Sequence, residues 1–313
     1  MITFFATPKP FTGHIGVIQR NAITSWTLLR PRPEIVLVGD DQGTAEIAGD
    51  LGLCHIPVVR RNEYGTPLLD DIFAKAEAQA SHDLLCYINA DILLLGDFMK
   101  AVKEIAGWRR NFLMIGRRTD VHIVSSLNFA SPDWATDMRQ RAAREGILET
   151  PMAIDYFVFL RGLYGGIPPF ALGRAGWDNW AVWRARSLKV PVVDATARVL
   201  VIHQHHDYAH HPQGFAGVHS GEEARKNHEL AGTRGFASIK DATHKLTAEG
   251  VKRNFFSRLI PVSALHLRRT LSPMRLLDGS RPGRHALGLH RANVAKLAAK
   301  VVSIGGQLRQ GRQ

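Results

Sequence analysis

Cysteine is almost missing from this chain: Cys54 and Cys86 are the only two in 313 residues. Both sit in apolar stretches, so they read as buried free thiols, and a disulfide framework is excluded. That usage fits a reducing, cytoplasmic setting. Long hydrophobic runs are missing too. No stretch of about 18 apolar residues occurs, so no membrane-spanning helix is expected. The start, Met1-Ile2-Thr3-Phe4-Phe5-Ala6, is apolar but short and carries no basic residue. It reads as a first strand, not a signal peptide. Acid is scarce in one region. Residues 251–313 hold three Lys and ten Arg against Asp278 alone, whereas the other 250 residues balance at 27 basic and 27 acidic. The whole net charge of +12 therefore lies in the final segment. A neutral body argues against a nucleic-acid-binding surface.

What is present describes an ordinary globular α/β protein, with 45% hydrophobic and 22% charged residues. Strands are expected at Ile2–Ala6, Glu34–Gly39, Cys54–Val59 and Leu84–Ile88. Helices are expected between them at 15–29, 44–51 and 66–80, the last capped by Thr66 with Pro67 at its first position. This alternation predicts a mostly parallel sheet with helices on both faces. Further helices are expected at 98–105, 131–145, 177–187 and 221–230. Further strands are expected at 112–116, 153–159, 190–193 and 197–202. A main domain over 1–240 and a basic extension over 241–313, helical or disordered, complete the expected organisation.

The run Leu84-Leu85-Cys86-Tyr87-Ile88-Asn89-Ala90-Asp91 ends an apolar strand in a lone carboxylate. Open α/β sheets bind ligands at the carboxyl ends of their strands. A carboxylate there either forms an ordinary turn or holds a divalent cation against a diphosphate. Three more loops share that sheet edge. Thr7-Pro8-Lys9-Pro10-Phe11 follows the first strand, where Thr7, Pro8 and Phe11 can bracket a base. Asp40-Asp41 follows the second strand, as helix cap or ligand contact. Asn62 to Thr66 follows the third, with a helix start that favours anions or simply a capping turn. In the second half, Gly176-Trp177-Asp178-Asn179 sets a carboxylate among indoles at a helix start, a desolvated position that raises a carboxyl pKa. His203 ends a strand and opens His203-Gln204-His205-His206-Asp207. Zinc is a rival for this loop, which also holds His210 and His211. No Cys is nearby and no H-E-x-x-H pattern occurs, which argues against zinc.

Together these segments resemble a GT-A fold nucleotide-sugar glycosyltransferase, family 2-like, over residues 1–210. Asn89-Ala90-Asp91 is similar to the D-x-D motif, with Asn in its first position. Glu34 to Asp41 is similar to the family's E-I-x-V-V-D-D pattern. The resemblance implies a GT-A type (Rossmann-like) sheet. It also implies Asp91 and His203 as ligands of Mn²⁺ or Mg²⁺, which suits imidazole with carboxylate and phosphate oxygens. Thr7, Pro8, Phe11, Asp40, Asp41, Asn62, Thr66, Asn89 and Asp91 would then contact the donor, with His205, His206 and Asp207 near its pocket. Asp178 would be the general base of an inverting transfer. Asp155, Trp177 and Asn179 would lie toward the acceptor, bordered by Gly165, Gly166 and Arg174. A UDP-sugar is the donor class implied by family frequency, and a glycan or lipid-linked molecule the acceptor. The Q-x-x-R-W signature of processive synthases is absent, so non-processive transfer is expected.

The final segment interleaves apolar and basic residues, as in Phe255-Phe256-Ser257-Arg258, and Ala286 to Ile304 is amphipathic. It reads either as a solvated tail or as a peripheral attachment to anionic membranes. Two other function classes remain open: a nucleotidyltransferase that makes a nucleotide-sugar, and a non-catalytic nucleotide-binding protein attached through this tail.

Overall fold

In a computed structural model of the chain, residues 1–206, 214–232 and 235–255 are described. The chain divides into two compact units, Met1–Ser272 and Pro273–Gln313, of which the second lies outside the described residues. The expected tail helix and membrane contacts fall there as well.

The order begins β1 (Ile2–Ala6), α1 (Gly13–Thr27), β2 (Glu34–Val38), α2 (Thr44–Leu51), β3 (Cys54–Ile56), α3 (Leu69–Gln79) and β4 (Leu84–Ile88). It continues with β5 (Ile92–Leu94), α4 (Gly96–Trp108), β6 (Leu113–Ile115), β7 (Thr119–Val121), α5 (Trp134–Glu145), β8 (Ile147–Leu148) and β9 (Tyr156–Leu160). It closes with α6 (Trp177–Ser187), β10 (Val192–Asp194), β11 (Val201–Gln204), α7 (Gly214–Ser220), α8 (Glu222–Ala231), β12 (His244–Thr247) and β13 (Gly250–Arg253).

Nine strands form one sheet in the order β13-β12-β10-β6-β9-β4-β1-β2-β3. Strands β3, β2, β1 and β4 pair in parallel, as do β6, β10 and β12; β9 runs antiparallel between β4 and β6. This is the mostly parallel α/β sheet that the strand–helix alternation predicts. Side chains alternate across it with period two. Phe4, Leu37, Cys86, Ile88 and Val158 face α1, α2 and α4; Phe5, Val36, Leu85, Tyr87 and Phe157 face α3 and α6. Helices therefore cover both faces. The strands are buried on both sides, which explains their continuous apolar runs.

Four local expectations shift. Thr66 and Pro67 do not open α3, which starts at Leu69. The Thr66 N–H bonds the Asn62 side chain, and Pro67 bridges antiparallel to Arg61, so the two residues are held extended. Ser131 accepts from Asp133 N–H in the turn before α5, which begins only at Trp134. The strand expected at 153–159 begins only at Tyr156: β9 is a buried central strand between β4 and β6, with Asp155 just before it. Past residue 240 the sheet continues, because β12 pairs with β10 and β13 with β12. The short strands β5, β7, β8, β12 and β13, of two to four residues each, were not expected.

Strands β5, β11, β7 and β8 make a second, smaller sheet in the order β5-β11-β7-β8. Helix α1 supports it. The Trp26 indole N–H donates to Ile92 O at 2.8 Å, and Leu94 N–H donates to Ser25 Oγ at 3.2 Å. Buried Asn21 donates to Ser125 O and Gln204 Oε1, both at 3.0 Å, and accepts from Leu127 N–H at 2.9 Å. Truncating Asn21 would remove one buried and two partly buried hydrogen bonds and leave the buried Gln204 oxygen without this donor. Asn21→Ala is expected to lower unfolding stability by about 2–3 kcal/mol in urea titration; a loss under about 0.5 kcal/mol would contradict this bracing role.

Candidate metal and nucleotide site

The small sheet sets the geometry of the site. After β4 the chain turns through Asn89-Ala90-Asp91, closed by Ile92 N–H to Asn89 O at 3.2 Å. It enters β5, whose antiparallel register with β11 puts Ile92 opposite His203. Asp91 and His203, far apart in sequence, thereby become neighbours. Strand β7 runs parallel on the other side of β11 and puts Asp120 opposite His203. Gln204, next along β11, donates its side-chain amide to Asp91 O at 3.0 Å and to Ile18 O at 2.7 Å. The turn backbone is thus pinned.

Asp91, His203 and His206 offer ligand atoms that all lie within 4.8 Å of one another. His206 Nε2 is 3.1 Å and His203 Nε2 3.8 Å from Asp91 Oδ2. Asp91 Oδ1 is enclosed without a hydrogen-bond partner. His203 Nδ1 lies 3.1 Å from Asp120 Oδ1, so the carboxylate orients the ring and leaves Nε2 facing Asp91. Burial opposes charge on Asp91, but His206, His203 and Lys9 overcome it and hold the carboxyl below its usual range. An aspartate and two imidazoles with one orphaned, enclosed oxygen form a donor set that fits a divalent transition-metal ion.

These groups line a cleft of about 620 Å³ at the carboxyl ends of β1, β2 and β4. Arg118 crosses its wall. One terminal nitrogen reaches both Asp155 oxygens at 3.1 Å, and Nε lies 2.9 Å from Asp120 Oδ1. Burial works against the Arg118 charge, but Asp155, Asp120 and Asp91 hold it above the usual arginine range. Asn89 ties in the same wall: its amide donates to Asp155 Oδ1 at 2.7 Å and its carbonyl accepts from Tyr87 Oη at 3.1 Å. Elsewhere Arg61 reaches Asp40 at 2.7 Å and Asp41 at 3.2 Å, and Arg174 holds Glu223 at 2.7 Å.

Of the residues expected from sequence, Thr7, Pro8, Asp41, Thr66, Asn89, Asp91, Asp155, Arg174, His203, His205 and His206 line the cleft. Asp40 stands exposed beside it on Arg61. Phe11 packs instead against the core by Gly43. Asn62 spends its side chain closing its own turn and bonding Glu223 at 2.8 Å. Trp177 and Asn179 lie in the core: the indole packs on Tyr87 and Phe157, and the amide donates to Ala237 O at 2.9 Å. Gly165 and Gly166 are not on the lining. Asp207, His210 and His211 lie outside the described residues.

The sequence reading did not assign Lys9, Arg61, Arg118 or Asp120 to the site, nor His206 to the metal. For His206 the signal was its place three residues past His203. For Asp120 there was none, since β7 is only three residues long.

Asp178 occupies the first turn of α6, after Gly176. Gly176 has φ of 115°, and a Cβ there would come 3.1 Å from the His228 ring, so glycine suits this bend. Asp178 does not line the cleft, but it acts electrostatically on Tyr87 and feels Asp155, both of which do. The residue keeps some surface, yet its Oδ1 is enclosed and unpartnered. Burial pushes its pKa up to about 6, against the pull of nearby backbone amides.

No family model matches the sequence, and no curated protein matches it. Among solved structures, S. aureus TarS 1–349 is similar over 65% of this chain and 60% of its own length, with 12% identity and a TM-score of 0.44. It has also been solved in complex with UDP-GlcNAc. The M. tuberculosis glucosyl-3-phosphoglycerate synthase is similar over 72% of this chain and 77% of its own, with 13% identity and a TM-score of 0.42. The mannosyltransferase PcManGT from Pyrobaculum calidifontis, in complex with GDP-Man and Mn²⁺, is similar over 64% and 56%, with 16% identity and a TM-score of 0.39. The chain thus spans about 60% of the length of TarS 1–349. With TM-scores below 0.5, the functional reading rests on the site itself.

Asp178 generates a pH prediction. Its native pKa of about 6 exceeds the unfolded value of about 3.9, so between these the native state binds the extra proton. Stability contributed by this group is therefore lost as pH rises through that window, by about 3 kcal/mol at most. Asp178→Asn is expected to melt higher than wild type at pH 8, with the gap closing toward pH 4. A gap independent of pH would contradict a desolvated carboxyl.

Proposed function

We propose that this chain is a metal-dependent GT-A glycosyltransferase that moves a sugar from a nucleotide-sugar to an acceptor hydroxyl. The observation that carries the reading is the Asp91–His203–His206 set, with its orphaned Asp91 oxygen, at the carboxyl-end edge of a mostly parallel sheet. Two imidazoles and one carboxylate suit Mn²⁺ better than Mg²⁺, which prefers oxygen ligands. When bound, such an ion neutralises charge on a diphosphate leaving group. Asp120 fixes the His203 ring, and Gln204 fixes the Asp91 turn.

Thr7, Pro8, Asp41 and Thr66 line the same cleft, and the nucleoside would lie against them. UDP is the nucleotide we favour, by its frequency among the donors of the family these segments resemble. The acceptor would approach along the Arg118–Asp155 wall. In this reading Asp178 is the general base of an inverting displacement. Its pKa near 6 suits proton transfer near neutrality, and it feels the charge of Asp155 on that wall. The acceptor, a glycan or a lipid-linked molecule, and peripheral membrane attachment through the segment beyond residue 255 belong to the same proposal.

One feature favours a second reading. Lys9 puts a basic residue just after β1, where nucleotidyltransferases that make nucleotide-sugars carry one. Product analysis separates the two, since transfer releases a nucleoside diphosphate and the alternative releases pyrophosphate.

Calorimetric titration of UDP, with and without Mn²⁺, tests the site. Binding that needs the metal and disappears in Asp91→Ala is the expected outcome. Wild-type protein that binds none of UDP, GDP, dTDP or CMP under either condition would overturn the proposal.

A further inference from the structure

Lys9 lies in the loop after β1 and lines the cleft. Its backbone is held at both polar atoms by Gln19: Lys9 N–H donates to Oε1 at 2.7 Å, and the Gln19 amide donates to Lys9 O at 2.8 Å. Gln19 is buried on α1, so the loop is anchored to the helix that also braces the small sheet. The prolines on either side, Pro8 and Pro10, further restrict it.

The other cleft cations are engaged. Arg61 is tied to Asp40 and Asp41, Arg118 to Asp120 and Asp155, and Arg174 to Glu223. Lys9 forms no such pair among the described residues. The charges that act on it are those of Asp91, which favours its ammonium, and Arg174, which opposes it. Burial also pushes the lysine down from its usual range. A desolvated ammonium in the cleft, close enough to feel Asp91 but without a carboxylate of its own, is placed for an anion bound at the metal site.

We propose that Lys9 is a phosphate-binding residue that shares the charge of a nucleoside diphosphate with the metal held by Asp91, His203 and His206. The assignment rests on the proposed function. It also addresses a deficit in the site: the acidic turn has Asn89 where the resembling motif has a second Asp, and Asn89 is spent on Asp155. One carboxylate supplies less negative charge to the metal, and a fixed cation on the leaving group complements it. Toward the metal alone, however, Lys9 is a like charge and repels it.

That opposition of signs provides the test. UDP with Mn²⁺, and Mn²⁺ alone, are titrated into wild type, Lys9→Met and Lys9→Arg. Lys9→Met keeps an apolar stem of similar length, so thermal melting without ligand should show it folded. It is expected to bind UDP–Mn²⁺ about ten- to hundredfold more weakly, the range for losing a charged hydrogen bond. It should bind Mn²⁺ alone as tightly as wild type or more tightly. Lys9→Arg should recover most of the UDP affinity. Loss of both UDP and Mn²⁺ binding in Lys9→Met would mark Lys9 as merely structural. Unchanged UDP affinity in that variant would refute the assignment while leaving the proposed function standing. Wild-type protein that takes Mn²⁺ but no nucleoside diphosphate would overturn both.

Discussion

The candidate site depends on one antiparallel pairing, three residues long, between β5 and β11. It brings the end of β4 against a strand more than a hundred residues later. Without it Asp91 would be a turn acid and His203 a strand-end histidine. With it they share a pocket, and β7 adds Asp120 behind the ring. The pairing itself is held by α1, through Trp26, Ser25 and Asn21. The same helix carries Gln19, which fixes the Lys9 loop. One helix thus braces both the Asp91–His203 pair and the Lys9 loop. Asn21 and Gln19 are polar residues on a buried face, and each is satisfied by the elements it joins.

The electrostatics follow from the same crowding. Carboxylates and cations alternate through the cleft, so most charges find partners and remain ionised despite burial. Two groups depart from that balance. Asp91 retains an oxygen with no donor, and Lys9 has no carboxylate within ion-pair distance among the described residues. These unbalanced charges are of opposite sign and act on each other. A divalent cation with a diphosphate would satisfy both at once. Asp178 differs in kind: it is desolvated without a cationic partner, which raises its pKa and with it the carboxylate's affinity for a proton.

Much of the large sheet was legible because its strands are buried on both faces and read as continuous apolar runs between helices. Leu84–Ile88, Thr44–Leu51 and Trp177–Ser187 have the bounds their patterns predict. The small sheet was not legible. Its strands are two to four residues long and owe their form to pairing, not to pattern. Asp91 and His203 could be picked out because each follows an apolar run in the sequence. His206 had a signal in its place three residues past His203, but Asp120 and Arg118 could not be picked out, since the pairing of β7 with β11 brings them in. Trp177 and Asn179 misled for a related reason. Aromatic and amide side chains at a helix start look the same in sequence whether they face a ligand or a core, and here Tyr87 and Phe157 claim the indole.

The central claim is that Asp91, His203 and His206 hold a divalent metal beneath a nucleoside diphosphate. Crystals grown with Mn²⁺ and UDP, measured for anomalous scattering at the manganese edge, test it directly. One strong peak within coordinating distance of the Asp91 carboxylate and the His203 and His206 rings, with an ordered diphosphate beside it, is expected. An ordered UDP elsewhere on the chain, or a manganese peak that leaves these three residues unligated, would contradict it.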